Sequence, residues 1–281
     1  MARASLVDEI AAVRVLCWEL GLGEVTPLVL KAAHHTSLRV QPLMIVARVQ
    51  SAEALDMARQ SAIRELAVTR FLASQGAPAL APLENKLAGP YVTASSIITL
   101  WPYVEQEETA DEADAPLAAT ALVWVHKCML NYDGELPPYT QTLDRCWNVL
   151  AHGPASIALA HDDRELLKAH YLRLRGEVEA TASDWLPLHG DVHLGNLLLG
   201  RQGPVWTDFE DACLGPREID IAGLPSTVWP CFADADQTLI RRYADLKSVC
   251  VATWCSADIA RSTEVREAAE YHLQRVRGLA F

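Results

Sequence analysis

Hydrophobic positions in the first hundred residues follow two spacings, which together predict short strands around one long helix. Apolar residues recur every three to four positions in residues 5–20 and again in residues 53–75, which is the period of an amphipathic helix. Short aliphatic or β-branched runs, separated by turn residues, are typical of hairpins. These runs occupy residues 27–30, 38–40, 43–49 and 83–100.

Helical spacing dominates after about residue 106. Six segments have this period, and they cover residues 113–131, 142–151, 162–182, 217–224, 235–253 and 263–277. We therefore expect an α+β, bilobal chain. Its small N-terminal lobe, residues 1–105, would contain an antiparallel sheet and one long helix and would end in a link at residues 101–105. Residues 106–281 would form the larger, mainly helical lobe.

The charge balance limits the class of partner. The sequence contains 24 Lys and Arg against 36 Asp and Glu, so its formal net charge is −12. This argues against a nucleic-acid partner, because nucleic-acid binders need a basic face to neutralise phosphates. A cationic or neutral small molecule fits the negative field better. No apolar stretch approaches the ~20 residues of a membrane span, so no membrane partner is expected. The oligomeric state stays open.

The cysteines favour a cytoplasmic location. There are seven, without a Cys-x-x-Cys pair, which disfavours a disulfide framework and a zinc ribbon. Reduced thiols in the cytoplasm are the simpler interpretation. The first nine residues contain acids before any apolar run builds, which is unlike a secretory signal peptide.

One segment carries the candidate chemistry. The apolar runs Leu197–Leu199 and Val205–Thr207 flank a turn rich in glycine, so we predict a hairpin. Such a hairpin would bring Asn196 and Asp208 side by side at its open end, with Asp191 one short loop upstream. Oxygen-bearing side chains suit Mg²⁺, and the remaining aspartate is free to orient a hydroxyl for phosphoryl transfer. The alternative is a polar loop whose side chains are satisfied locally.

This segment also resembles a known family. His189-Gly190-Asp191 followed by Asn196 resembles the HGDxxxxN signature of the aminoglycoside phosphotransferase and choline kinase superfamily. Residues 208–211, Asp-Phe-Glu-Asp, resemble its metal-binding motif, and residues 218–222 resemble the acidic stretch that follows. The resemblance implies a protein-kinase-like fold and phosphorylation of a small-molecule hydroxyl by ATP or GTP.

The resemblance implies a role for each matching residue in the catalytic loop, residues 189–196, and in the metal motif. Asp191 is expected to be the catalytic base or orienting carboxylate, with His189 fixing the loop by hydrogen bonds. Asn196 and Asp208 are expected to hold Mg²⁺. Glu210 would approach a second metal or the substrate, although a surface acid is an open alternative.

Two further polar residues belong to this region. His193 occupies a variable position of the family pattern, and a loop histidine without catalytic duty is favoured over a proton relay. Asp220 is expected to cap or brace the catalytic loop from the helix below it.

The nucleotide half of the site lacks a glycine-rich loop. The resemblance allows an arginine as the cation that bridges phosphates, and Arg48 in the run Val46–Val49 stands in that place. Glu65 on the long helix would be its ion-pair partner, or else a surface acid. Lys31 on a neighbouring strand is the competing cation.

Two backbone segments complete the expected nucleotide site. The turn at residues 34–37 is the candidate phosphate-covering loop through Thr36 and Ser37, and an ordinary polar turn is the alternative. Trp101, Tyr103 and Val104 are expected to form the hinge that contacts the base through backbone groups. Backbone recognition leaves the choice between ATP and GTP open.

Two classes of function stay open. The first is an active small-molecule kinase, which the intact Asp191, Asn196 and Asp208 favour. The second is a nucleotide-binding pseudokinase that acts as a sensor or partner protein on the same fold. Within the first class, antibiotic modification competes with metabolic phosphorylation of a sugar or amino alcohol. The resemblance implies amino-sugar or amino-alcohol acceptors in many members.

Overall fold

The computed structural model describes residues 5–32, 35–51, 55–106, 109–153, 157–181 and 184–280. His34, the first residue of the predicted phosphate-covering turn, lies outside these ranges, as do residues 53–54 of the predicted long helix. The strands of the described residues are β1 (Thr26–Ala32), β2 (Thr36–Gln41), β3 (Ile45–Ser51), β4 (Tyr91–Val92), β5 (Ser96–Pro102), β6 (Leu186–Leu188), β7 (Leu197–Gly200), β8 (Gly203–Trp206) and β9 (Cys213–Gly215). The α-helices are α1 (Leu6–Glu19), α2 (Leu55–Ser74), α3 (Ala115–Met129), α4 (Thr140–His152), α5 (His161–Glu179), α6 (Glu218–Ile221), α7 (Gln237–Ala257) and α8 (Thr263–Arg277).

The α+β, protein-kinase-like fold that the sequence predicted is confirmed. Each of the eight predicted helices is present in the described ranges, with ends that differ by a few residues. The largest proportional shortening is in α6, where a segment predicted over residues 217–224 forms the four-residue helix Glu218–Ile221.

Strands β1 to β5 form one antiparallel sheet in the order β1-β2-β3-β5-β4. Alternate residues of a strand point to opposite faces of a sheet. One face of this sheet packs on α1 through an apolar cluster that contains Val13, Leu16, Cys17, Leu38, Val40, Ala47, Val49, Ile98 and Leu100. Full burial of a valine, leucine or isoleucine side chain contributes about 1.5–3 kcal/mol to the stability of the folded state.

The opposite face of the sheet packs on α2 and also carries the polar residues of the site. Ile97 of β5 packs against α2 on this face. Arg48 of β3 lies on the same face, because its cross-strand partners Ser37 and Thr99 alternate with the residues that face α1. The strand periodicity therefore decides which polar side chains share a face with Arg48.

Contacts divide the chain into two compact units. The first contains Met1–Ala110, Thr120–Gly134 and Gly195–Asp211, and the second contains Asp111–Ala119, Glu135–Leu194 and Ala212–Phe281. The five-stranded sheet and the β7-β8 hairpin belong to the first unit. Helices α4 to α8 belong to the second. The boundary expected at residue 105 stays a prediction.

Helix α7 is the centre of the second unit. It packs against α4, α5, α6 and α8. Strands β6 and β9 form a separate antiparallel pair in this unit, with Leu186 opposite Gly215. The sequence analysis missed both strands, because a run of three residues is too short to reveal an alternation of polar and apolar positions.

Two features bear on the environment of the protein. Among the described residues, no helix has both the length and the apolar character that a bilayer-crossing segment requires. All seven cysteines are free thiols.

Candidate functional site

Arg48 is the centre of a buried ionic network in the first unit. Its Nη1 lies 2.5 Å from Oε1 of Glu65 on α2, which is the ion pair expected from the sequence. Its Nη2 lies 2.6 Å from Oδ1 of Asp208, a contact that the sequence analysis did not predict. The guanidinium therefore joins a strand, a helix and the segment after β8.

Burial and charge act against each other in this network. Burial alone would lower the pKa of Arg48, but Asp208 and Glu65 outweigh it and raise the pKa of the guanidinium. Burial raises the pKa of Glu65 to about 7, and the negative charges of Asp208 and Glu210 act in the same direction. Arg48 opposes this shift. Arg48 thus lies among three carboxyl groups, those of Glu65, Asp208 and Glu210.

The predicted β7-β8 hairpin is present and positions Asn196 and Asp208. Leu197 is opposite Trp206, and the N–H of Thr207 donates to the carbonyl of Asn196 at 2.9 Å. Asp208 is therefore one residue beyond the cross-strand partner of Asn196, as the sequence analysis expected. The Asn196 side chain is buried.

Asp208 has an unusual backbone conformation. Its φ of 70° is the one positive value at a non-glycine residue in the described ranges. Aspartate tolerates this left-handed region better than most residues, but it remains costly, and such conformations cluster at functional sites. The turn re-aims the chain directly after β8, and a short 3-10 helix at Phe209–Asp211 follows.

His35 joins the two acidic residues of this segment. Its Nε2 lies 2.8 Å from Oε1 of Glu210 and 3.9 Å from Oδ1 of Asp208. Burial would raise the pKa of Glu210, but His35 outweighs burial and the pKa of this carboxyl is lowered. The Glu210 carbonyl accepts hydrogen bonds from Ser61 Oγ, at 2.8 Å, and from Arg64, so α2 holds this turn in place.

The donor set fits a divalent cation. One ligand atom each from His35, Asp208 and Glu210 lies within 4.8 Å of the others. Carboxylate oxygens are the ligands that Mg²⁺ prefers, and imidazole nitrogen is more typical of transition metals. Sequence reasoning missed His35 as a member of this group, because its partners are far away in the chain and no motif marks it.

The three other residues that the sequence suggested for phosphate binding, Thr36, Ser37 and Lys31, lie in three different environments. Thr36 faces α1, on the sheet face opposite to Arg48, and its buried hydroxyl donates to Oε2 of Glu9 at 2.5 Å. Ser37 is the cross-strand partner of Arg48 and shares its face. Lys31 is exposed on β1. The structure therefore brings Arg48, rather than Lys31, to Glu65, while the phosphate-covering role of Thr36 and Ser37 stays a prediction.

The predicted hinge continues strand β5. Trp101 is buried, and its indole N–H donates to Thr99 Oγ1 at 2.8 Å. The Tyr103 N–H donates to the carbonyl of Met44 at 3.0 Å, and the Tyr103 ring lies under the Arg39 guanidinium at 4.1 Å. Tyr103 is thereby fixed by both its backbone and its ring.

Hydrogen-bond alternation decides which hinge groups face away from the sheet. Trp101 and Tyr103 point their N–H groups toward β3, since alternate residues of an antiparallel pair bond to the same neighbour. Continuing this alternation turns the carbonyl of Pro102 and the N–H of Val104 away from β3. In the described part of the chain, no backbone carbonyl accepts from the Val104 N–H.

A small cavity of about 10 Å³, room for roughly one water molecule, lies on the α2-facing side of the sheet, inside the first unit. Its lining includes His35, Arg48, Glu65, Thr99 and Glu210. Charged and polar groups therefore converge on one cavity wall. Apolar side chains of Ala62 and Ile97 also belong to the lining.

Residues 189–194 of the predicted catalytic loop belong to the second unit, and Asp220 braces their start. The two carboxylate oxygens of Asp220 accept the backbone N–H groups of His189 and Gly190, each at 2.9 Å. Gly190 has a φ of 88°, which a residue with a Cβ rarely adopts. The buried His189 accepts the N–H of Asp191 through Nδ1 at 3.3 Å. The bracing expected of Asp220 and the loop-fixing hydrogen bond expected of His189 are both present.

The Asp191 carboxylate has a basic side chain on each side. Lys247 Nζ lies 3.1 Å from Oδ1, and His193 Nε2 lies 3.5 Å from Oδ2. Burial acts to raise the pKa of Asp191, but Lys247 and His193 hold it well below its usual range. About a third of the side chain, 36%, is exposed, so a substrate group can reach it. That Asp191 converges with Asn196 and Asp208 stays a prediction.

Comparison with known proteins identifies the family. The sequence profile described as "APH: Phosphotransferase enzyme family" matches residues 35–255. This range includes Arg48, the catalytic loop and the metal motif. No curated protein sequence matches the chain.

Solved structures share the fold at low sequence identity. Choline kinase LicA from Streptococcus pneumoniae is 16% identical with a TM-score of 0.68, over 95% of this chain and 98% of that chain. The GDP and kanamycin complex of APH(2")-IIia is 14% identical with a TM-score of 0.68, over 97% and 100%. The microcompartment-associated aminopropanol kinase is 15% identical with a TM-score of 0.67, over 95% and 94%.

Proposed function

The chain belongs to the phosphotransferase enzyme family and is a small-molecule kinase, and on this premise we propose that it transfers the terminal phosphoryl group of ATP or GTP to a hydroxyl group of a small acceptor. The observation that carries the proposal is the buried Arg48 network. It offers a phosphate-binding guanidinium beside two acids of the metal motif, Asp208 and Glu210. The intact Asp191, Asn196 and Asp208 favour an active kinase over a nucleotide-binding pseudokinase.

We assign the nucleotide phosphates to Arg48. Glu65 holds Nη1, which leaves Nη2 to move from the Asp208 carboxylate to a phosphate oxygen of similar charge. Ser37, on the same sheet face, is placed to add a hydroxyl. A guanidinium that is fixed on one side by an acid keeps its geometry while it binds an anion on the other side.

The donor set of the first unit supports magnesium as the cofactor. We assign Asn196 and Asp208 as its protein ligands, with Glu210 and His35 beside them. Bound Mg²⁺ would neutralise charge on the phosphates. The left-handed backbone at Asp208 then serves to aim its carboxylate at the metal rather than into solvent.

We assign the base of the nucleotide to the hinge. The Pro102 carbonyl and the Val104 N–H face away from β3. The carbonyl can accept a hydrogen bond from the base, and the N–H can donate one to it. Adenine presents an amino donor and a ring-nitrogen acceptor side by side, and this pair matches them. Guanine presents a carbonyl and an N–H on the corresponding edge, so it needs a shifted register. The arrangement favours ATP over GTP.

We assign the acceptor hydroxyl to Asp191. The hydroxyl oxygen attacks the terminal phosphorus, the bond from that phosphorus to the bridging oxygen breaks, and the hydroxyl proton goes to Asp191. The products are the phosphate ester and the nucleoside diphosphate. Because the transition state is loose, orientation of the hydroxyl matters more than a strong base, and a carboxylate of low pKa suffices.

An amine-bearing acceptor is the proposed substrate class, with neutral sugars second. The net charge of −12 raises the concentration of cations near the protein. Solved structures with this fold include a choline kinase, an aminopropanol kinase and a complex with kanamycin. Each of these three compounds carries an amine or ammonium group. Free thiols at all seven cysteines support the cytoplasm as the site of action.

A screen of ADP release tests the proposal. Purified protein with Mg·ATP is assayed against kanamycin, choline, aminopropanol and simple sugars, with Asp191→Asn as the matched inactive control. We expect acceptor-dependent ADP release from the natural chain and its loss in the variant. If Mg·ATP binds but no acceptor of any class stimulates release, the chain is a nucleotide-binding protein rather than a kinase.

A further inference from the structure

A lysine without an assigned role contacts the proposed catalytic carboxylate directly. Lys247 is on α7, and its Nζ lies 3.1 Å from Oδ1 of Asp191 and 2.8 Å from the carbonyl oxygen of Val192. The ammonium is therefore held by two acceptors from consecutive residues of the catalytic loop. A lysine on a mobile surface rarely keeps two such partners, since each fixed rotamer costs side-chain entropy.

Helix α7 delivers this ammonium from a rigid frame. Residues on either side of the lysine, Leu246 and Ser248, are buried, and so are Val249 and Cys250 in the next turn. The helix packs against α4, α5, α6 and α8. The Lys247 side chain itself is 27% exposed, so its aliphatic stem is covered while the head reaches the loop. The position of Nζ is therefore set by the packing of the whole helix.

The two oxygens of Asp191 have different surroundings. Oδ1 faces Lys247, whereas Oδ2 faces the more weakly placed His193 at 3.5 Å. On α8, burial together with Arg275, Lys247 and His193 lowers the pKa of His272 to about 4, so this ring is neutral near pH 7. Arg275 is paired with Asp245 at 2.9 Å. Lys247 is thus the main positively charged group next to the Asp191 carboxylate.

We propose that Lys247 is a positioning residue for phosphoryl transfer: it holds Oδ1 of Asp191 and turns Oδ2 toward the acceptor hydroxyl. This inference rests on the proposed function, because it assigns Asp191 to the acceptor. The contact to Val192 adds a second restraint, which fixes the loop backbone next to the carboxylate. Removal of the ammonium would release both restraints at once.

Lys247→Met is the informative variant, because methionine keeps the length and apolar stem of lysine and removes only the charge. We expect kcat for the best acceptor to fall by about 10- to 100-fold, a part of the ~10²–10⁴ that general-base catalysis contributes. The KM for ATP should stay unchanged, since the nucleotide is assigned to other residues. Lys247→Arg should recover much of kcat, because it restores a cation.

Lys168→Met is the matched control. Lys168 is also 27% exposed and also pairs with an acid, Glu165 on its own helix α5 at 2.8 Å. Among the described residues, no hydrogen bond or ion pair joins Lys168 to the proposed site. The control should keep wild-type kcat and wild-type thermal stability.

A titration separates positioning from a general loss of structure. ¹³C-carboxyl NMR of aspartate-labelled protein, with the Asp191 signal assigned by its absence in Asp191→Asn, follows this carboxyl without any need for activity. Loss of the Lys247 charge should raise the Asp191 pKa toward its ordinary value, while His193 continues to oppose the rise. The acidic limb of the kcat/KM profile should move to higher pH by the same amount, and Lys247→Arg should reverse both shifts.

The outcomes distinguish this inference from the proposed function. An unchanged Asp191 titration in Lys247→Met overturns the positioning role, as does a kcat loss that Lys247→Arg leaves unrecovered. A raised Asp191 pKa in a protein that phosphorylates no acceptor would uphold the contact and reject the kinase assignment. A raised pKa together with a recoverable kcat loss supports both.

Discussion

Asp191 and Arg48 illustrate how single residues carry opposite duties in this protein. Arg48 is buried among acids that raise its pKa, and we propose that it binds the nucleotide phosphates. Asp191 is a partly exposed acid whose pKa Lys247 and His193 hold low against burial, and we propose that it acts on the acceptor hydroxyl. In both cases the neighbours, not the residue type, decide the role.

Replacement of Asp191 by asparagine should abolish acceptor phosphorylation and leave nucleotide affinity nearly unchanged. The amide keeps the shape of the carboxylate but cannot take the hydroxyl proton, and general-base loss costs ~10²–10⁴ in rate. Steady-state ADP release and calorimetric titration with Mg·ATP measure the two effects. Asp184→Asn, at an exposed loop position, is the control and should behave as wild type. Retention of most of the turnover would remove Asp191 from the mechanism.

Replacement of Arg48 by alanine should raise the KM for ATP more than the KM for the acceptor. In the proposed assignment the guanidinium binds the nucleotide phosphates, and its loss also leaves the buried Glu65 without its cation. Lys31→Ala is the matched comparison, because it removes an exposed cation from β1, which β2 separates from the β3 strand of Arg48. If only Lys31→Ala impairs ATP use, the phosphate assignment passes to Lys31.

At the scale of elements, the close approach of α6 to the catalytic loop depends on a glycine. Gly223 follows α6, and a Cβ at this position would lie 1.8 Å from the Val192 carbonyl oxygen. That oxygen also accepts from Lys247. The two helices α6 and α7 therefore both secure the loop at the residue after Asp191, one by close packing and the other by a hydrogen bond.

Gly223→Ala should destabilise the protein by about 1–3 kcal/mol, the usual cost of forcing an extra methyl into a packed site, and should lower kcat because the loop must move. Gly176→Ala is the matched control: a Cβ at this α5 position meets no atom within 4 Å. It should stabilise by roughly 0.5–1 kcal/mol through helix propensity. Urea unfolding midpoints measure both changes. Equal midpoints and equal turnover for the two variants would contradict the packing argument.

At the scale of the whole molecule, the surplus of acids acts on any charged acceptor. The net charge of −12 attracts cations over a distance that salt limits, about 8 Å at physiological ionic strength. Such long-range attraction raises encounter rates rather than contact energies. Added salt therefore separates the effect of this long-range attraction on acceptor binding from the effect of hydrogen bonds within the site.

The KM of an amine acceptor should rise as sodium chloride is added, whereas the KM of an uncharged sugar should not. Assays with choline or kanamycin beside a neutral sugar, at fixed Mg·ATP, measure the difference. The KM for ATP at each salt concentration is the internal control for effects on the nucleotide. A carboxylated or phosphorylated metabolite as the best acceptor would contradict the charge argument while leaving the kinase assignment intact.

Much of the fold and part of the candidate site could be predicted from the sequence, because they depend on local spacing. The eight helices repeat their apolar positions every three to four residues, and the β7-β8 hairpin joins two short apolar runs through a glycine turn. Asn196 and Asp208 flank that hairpin, so their neighbourhood follows from pairing within twelve residues. The pairing of Arg48 with Glu65 required the family resemblance, since the two lie on different elements.

Tertiary structure alone decided the long-range partners. His35 meets Glu210 across 175 residues, and Lys247 meets Asp191 across 56, and neither His35 nor Lys247 belongs to a sequence motif. Thr36 faces α1 and Ser37 faces Arg48 because the strand register assigns neighbouring residues to opposite faces. A periodic pattern specifies which side of an element is buried but not which element covers it. That choice is made by packing, where a polar group takes whichever partner the assembled helices and strands bring within reach.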